Sequence, residues 1–242
     1  MTSQPTATTT ILYDNTAVRS DVTADWGFAC SVQTPEATVL FDTGTDQEIL
    51  LSNMDTLGFA PSDFDAVVIS HDHYDHTGGL DAITRANPGI TVVIPTRFSQ
   101  SSKDRITRVG AKLRQIEGPT QLVPALHTTG QLGDTIVEQA LVLQTSDGLV
   151  VITGCAHPGV ENMVAAAKAT LDADVALVFG GFHLYDAPAD VVTATIQRLK
   201  SLGARSVAPC HCSGPLAIDM FATAYTDSSV SVGAGWQRTF AL

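Results

Sequence analysis

The run His71-Asp72-His73-Tyr74-Asp75-His76 packs three imidazoles and two carboxylates into six consecutive positions. Imidazole nitrogens and carboxylate oxygens are donors that suit Zn²⁺, Mn²⁺ and iron. The run follows DAVVIS (65–70), a β-branched stretch with no helical period. If the chain stays extended past Ser70, alternation sends His71, His73 and Asp75 to one side and turns Asp72 and Tyr74 away. Gly78 and Gly79 then let the backbone turn sharply, bringing His76 round beside Asp75. So many donors exceed what one open catalytic ion takes. They fit two adjacent divalent ions that activate a water for attack on a carbonyl or phosphorus centre, with Asp75 orienting that water. A nitrogen-rich set leans to zinc, with Mn or Fe as alternatives.

The remaining histidines are His127, His157, His183 and His211. His157 in TGCAHPG, His183 in GGFHLYD and His211 in CHCSG each lie just beyond an apolar strand-like run, as His71 does. Strand C-termini are where α/β sheets gather their chemistry. His157 and His211 are therefore expected as ligands, and His183 as a proton-transfer or substrate-anchoring group. His127, in PALHTTG, lacks a well-defined preceding strand and is expected outside the site. Between 97 and 114 lie Arg97, Lys103, Arg105, Arg108, Lys112 and Arg114, with Asp104 the sole acid. One reading is a solvated helix face. The other makes 96–134 a lid or insertion in which Arg105 and Arg108 grip an anionic group of the substrate.

Strands are expected at 27–32, 38–44, 90–95, 174–181 and 206–209, and a hairpin over 135–154 about Asp147-Gly148. Helices are expected at 80–87, within 155–171, at 190–204 closed by Gly203, and within 210–225. Strands, polar loop and helix recur in both halves, suggesting a duplicated α/β architecture. Residues 1–10 read as a flexible leader and 11–242 as one domain. The 44% hydrophobic content is too high for a disordered chain. No apolar run approaches the ~20 residues a membrane span needs, and no secretory signal is visible at the N-terminus. A net charge of −12 suits duplex nucleic acid poorly. The expectation is a cytoplasmic protein with a small-molecule substrate and neither nucleic-acid nor membrane partners. Cys30, Cys155, Cys210 and Cys212 are too few for a disulfide scaffold, and alternation turns Cys210 and Cys212 away from the side His211 faces.

HDHYDH after an apolar strand, together with LFDTG (40–44), resembles the metallo-β-lactamase fold superfamily. That resemblance implies a four-layer αββα sandwich with a two-metal site at one edge of the sheets, across about residues 11–240. It implies that His71, His73 and His157 hold one metal and that Asp75, His76 and His211 hold the other. Asp42 would support the ligand loop from behind. GFACSV, HDHYDHTGGL, TGCAHPGVENM, GGFHL and APCHCSG are similar to a narrower group, the dihydropterin-forming ribofuranosylaminobenzene-phosphate synthases of methanopterin biosynthesis. One departure stands out: where hydrolases of the superfamily carry a Gly-Asp whose carboxylate bridges both metals, this chain has Gly154-Cys155. Cys155 is then either a thiolate ligand or a small buried thiol. The reaction expected first is hydrolysis of a small anionic ester, lactone or phosphoester. The alternatives are the subgroup's condensation of a dihydropterin diphosphate, and a catalytically weak ligand sensor.

Overall fold

The computed structural model describes residues 4–242. In chain order the first half holds β1 (Thr6–Tyr13), β2 (Ala29–Gln33), β3 (Thr38–Phe41), α1 (Gln47–Thr56), β4 (Ala66–Val68), α2 (Tyr74–Thr77), α3 (Leu80–Ala86) and β5 (Thr91–Pro95). Then come α4 (Gln100–Arg108), β6 (Lys112–Ile116), β7 (Thr120–Val123), β8 (Leu126–Thr128), β9 (Leu141–Thr145) and β10 (Gly148–Thr153). The chain finishes with α5 (Val160–Leu171), β11 (Val175–Gly181), α6 (Ala189–Ser201), β12 (Ser206–Cys210), α7 (Pro215–Tyr225) and β13 (Gln237–Ala241).

The strands form two sheets, one ordered β13-β1-β2-β3-β4-β5-β6 and the other β12-β11-β10-β9-β8-β7. Each sheet joins antiparallel hairpins to a run of parallel strands, β3 to β6 in one and β10 to β12 in the other. The parallel strands need helical crossovers, and these cover the outer faces. Three apolar clusters follow. Phe28, Phe41, Val68 and Val93 meet Leu141, Ile152 and Phe179 between the sheets. Leu40, Val67 and Val92 pack under Leu50, Met54 and Ile83 of α1 and α3, and Val151 and Val178 under Met163, Val192 and Phe221 of the last three helices. The order helix, sheet, sheet, helix is the expected four-layer sandwich.

Two expectations are corrected. Residues 1–3 of the proposed leader lie outside the described residues, but 6–10 are no leader. They are the start of β1, paired on one side with β2 and on the other with β13. The Thr-rich composition that reads as a loose polar segment is β-branched, and it suits a strand whose Thr9 and Thr10 are buried. The segment 96–134 is likewise no lid or insertion. It supplies α4, the edge strand β6 of the first sheet and the edge hairpin β7–β8 of the second. Of its basic residues, Lys112 and Arg114 lie on the edge strand β6, where charged side chains block further pairing.

Candidate metal centre

The site forms where β4, β10, β11 and β12 end. His71 lies just past β4 and is fully buried. The extended run stops at His73, which caps α2 with an extended backbone, so alternation does not place Asp75. The helical turn that follows does: the amide of His76 donates to the carbonyl of His73, and Asp75 and His76 leave the same turn. His76 therefore comes round through α2 rather than through the Gly78-Gly79 bend. Those glycines serve a close approach instead. A Cβ on Gly78 would sit 1.8 Å from the carbonyl oxygen of Thr45.

Two donor groups result. His71, His73 and His157 bring one ring nitrogen each within 4.8 Å of one another, and so do Asp75, His76, His211 and the thiol of Cys155. The groups adjoin, with the rings of His71 and His76 centred 4.2 Å apart. All six residues expected as ligands are thus brought together, divided as the resemblance implied, and Cys155 joins the second group. His127 lies away from them, half-buried on β8.

Hydrogen bonds fix which nitrogen of each ring faces inward. The Ser70 hydroxyl donates to Asp42 Oδ2 at 2.6 Å, so its contact with His71 Nδ1 at 2.9 Å is donated by the ring. His76 Nδ1 donates to Asp42 Oδ2 at 2.7 Å, and His157 Nδ1 to Glu138 Oε2 at 2.8 Å. Asn15 donates its amide to the carbonyl of His211 and accepts from the amide of Gly27, which leaves its oxygen to accept from His211 Nδ1 at 3.0 Å. Four histidines thereby carry a hydrogen on Nδ1 and turn Nε2 toward the centre. His71 Nε2 and His211 Nε2 are buried there with no hydrogen-bond partner. Leaving such groups unmade costs about 1–3 kcal/mol each, and a divalent cation would satisfy both. The donor set fits the ions the fold implies.

Charge reinforces this. Burial holds the pKa values of His71 and His73 below the ordinary value and lowers that of His76 to about 3, so these rings stay neutral. Burial opposes ionisation of Asp75 and Glu138, but hydrogen bonds and neighbouring histidines outweigh it and hold both well below the usual carboxylate range. Asp75 Oδ2 lies 3.4 Å from His211 Nε2 and 3.7 Å from His76 Nε2, and accepts from the indole of Trp26 at 2.9 Å. Four of the non-glycine residues with left-handed φ line the site: Asp42 (60°), Ala156 (63°), His183 (52°) and His211 (49°). Such backbone costs of order 1–3 kcal/mol per residue and collects where function needs it.

His183 is exposed at the mouth, its ring centred 4.2 Å from that of His157, and its pKa is raised chiefly by Cys212. Cys212 does not turn away as alternation suggests. A single turn of 3₁₀ helix at 211–213 breaks the alternation and brings its thiol to Cys155 and His183. Arg105 is committed elsewhere, donating to Asp81 at 2.9 Å and to the carbonyl of Thr77, and Arg108 is exposed in the last turn of α4. The basic side chain that does reach the site is Arg97. It lines a cavity of about 240 Å³ with Asp72, His73, Ser99 and residues 134–137. Sequence alone does not assign Glu138, Asn15, Trp26 or Ser70 to the site, and it reads Cys212 as turned away from it. Only Ser70 and Cys212 adjoin a visible motif; the others sit far along the chain from the histidine or aspartate they serve.

The family model of the Metallo-beta-lactamase superfamily matches residues 29–211. A curated relative from Methanocaldococcus jannaschii, 7,8-dihydropterin-6-methyl-4-(beta-D-ribofuranosyl)-aminobenzene-5'-phosphate synthase, is 30% identical, over 81% of this chain and 82% of the relative. Among solved structures, Tm1679, a metal-dependent hydrolase of the beta-lactamase superfamily, superposes with a TM-score of 0.81 at 27% identity, covering 96% of this chain and 98% of that one. A diphosphatase from the PhnP family shares the fold, with a TM-score of 0.65 at 14% identity, covering 97% of each chain.

Proposed function

The chain belongs to the metallo-β-lactamase superfamily and is a metal-dependent enzyme of that fold; from its site we propose that it is a dinuclear hydrolase of a small anionic ester, lactone or phosphoester. One observation carries the reading: two adjoining donor groups whose inward Nε2 atoms, on His71 and His211, are buried without partners. Divalent ions held there would supply Lewis acidity and would lower the pKa of a water.

The chain's own residues do the rest. His71, His73 and His157 would hold one ion, and Asp75, His76 and His211 the other, zinc being the metal their nitrogen-rich donors favour. Asp42, Glu138 and Asn15 fix the rings, so little reorganisation accompanies the reaction. Trp26 pins the carboxylate of Asp75, which orients the attacking water. His183 stands exposed at the mouth of the site, its ring centred 4.2 Å from that of His157. The cavity beside His73, about 240 Å³, suits a small substrate. Arg97 lines it with its guanidinium already donating to the carbonyls of Gly133 and Asp134, so neither it nor Arg105 is a free anion grip.

A second reading has a specific basis in the 30% identical synthase. There the ions would activate a diphosphate leaving group in place of a water. Against it, Arg97, Lys103 and Arg105 already donate to protein carbonyls or to Asp81, which leaves few free cations for a second phosphorylated substrate. Reconstituted protein assayed in ¹⁸O-water with a panel of esters, lactones and phosphoesters separates the two. Label in the product, lost in His73→Ala, is expected. Pyrophosphate release with a joined, unlabelled product would replace the hydrolase reading by the synthase.

A further inference from the structure

Cys155, His183 and Cys212 form another donor cluster, with two thiols and a ring nitrogen within 4.8 Å of one another. They come from the ends of three neighbouring parallel strands, β10, β11 and β12. Both thiols are buried and free of any disulfide. The fold makes room for this meeting. A Cβ on Gly181 would lie 2.6 Å from Cys212 Sγ and 2.3 Å from the carbonyl of Gly154, so only glycine lets the three strand ends close this tightly. His183 is held in a left-handed backbone conformation, which β-carbon-bearing residues adopt only under constraint, at the rim where solvent reaches it.

We propose that Cys155, His183 and Cys212 hold a third cation, a thiophilic divalent ion such as zinc, with the sulfur of Cys155 shared between this ion and the second donor group. Zn–S bonds of about 2.3 Å and Zn–N bonds of about 2.0 Å in a tetrahedron separate the ligand atoms by roughly 3.5–3.8 Å, which is compatible with atoms that lie within 4.8 Å of one another. Two thiolates match the ion's two positive charges, and both thiol protons leave to solvent as the ion binds. Soft sulfur donors select zinc, cadmium or cobalt over manganese and magnesium. The exposed imidazole leaves a way in and a fourth position open to water. Cys155, standing where a bridging carboxylate is usual in related hydrolases, then links the second and third ions. This reading does not depend on which reaction the enzyme catalyses.

The test is a titration of reduced, metal-free protein with Co²⁺, following ions bound and the near-ultraviolet thiolate-to-cobalt charge-transfer band. Wild type is expected to take up a third equivalent, with the band growing as it binds. Cys212→Ser should stop at two and lose about half or more of the band intensity. His183→Asn, an exposed substitution that tolerates the left-handed backbone, should also stop at two, and it keeps the test valid if Cys212→Ser fails to fold. His71→Ala should lose the first-group ion and keep the band, which separates this site from the dinuclear one. Saturation of wild type at two equivalents, or an unchanged band in Cys212→Ser, would overturn the proposal.

Discussion

Glu138 shows what a single side chain contributes to such a centre. Its two oxygens accept from the amides of Cys155, Ala156 and His157 at 2.7–2.8 Å and from His157 Nδ1 at 2.8 Å, all inside a fully buried pocket. One carboxylate therefore sets the loop after β10 and the tautomer of a ligand. Glu138→Gln preserves the volume but turns an NH₂ group toward a donor. The expected result is metal affinity about 10–100-fold weaker, read by competition with a chelator. The metal-free protein should also be destabilised by about 2 kcal/mol or more; unaltered affinity would mean the glutamate serves the loop alone. The histidines were legible because their donors crowd one short run or follow apolar strands. Glu138 was not, because one acid inside a strand-like stretch has no periodicity to mark it, and its partner lies 19 residues on. Trp26 and Asp75, 49 residues apart, are hidden for the same reason.

At the level of elements, strands and helices with strong apolar patterns appeared where the sequence put them: β5, β10, β11, α3 and α6 among them. The misreadings share a cause. The Thr-rich start of β1, an internal strand, and the charged edge strand β6 are both polar in composition, so polarity masked their strand character. Helix α1 went unassigned, its apolar positions spread around the axis, although Asp46 caps it by accepting from the amides of Glu48 and Ile49. The ligand-bearing turn depends on close packing that patterning does not reveal. The amide of Gly78 donates to the carbonyl of Gly44, that of Gly79 to Thr43, and the Thr43 hydroxyl to the carbonyl of His76. Gly78→Ala forces a methyl against the backbone of Thr45 and must push α2 outward. Metal analysis is expected to show the ion of the Asp75 group lost while the His71 group still loads. Gly118→Ala, where a Cβ meets nothing within 4 Å, is the neutral control. Equal loading of the two variants would show that the turn can yield without moving its ligands.

At the scale of the molecule, both sheets send strand ends to one rim, so assembling the centre and closing the sandwich are one event. Folding then takes titrating side chains out of water together, and stability must answer to pH. His76 illustrates the sign. Burial lowers its pKa to about 3 from an ordinary 6.5, so the unfolded chain binds this proton across a range in which the folded chain does not. A depressed folded value means its contribution is fully present above 6.5 and is lost as pH falls from there toward 3. His71 and His73, also lowered by burial, act in the same direction, whereas His183 and His211, raised by Cys212 and Asp75 respectively, act against it. Whole-protein acid curves would mix these effects, and a difference isolates one. With chelator present, thermal unfolding of wild type and His76→Asn should diverge with pH. Wild type should lose stability relative to the variant through the window from 6.5 to 3, and run parallel to it above. A constant gap across that window would mean that His76 is not held neutral by burial, and the donor geometry of the second group would then have to be reassigned.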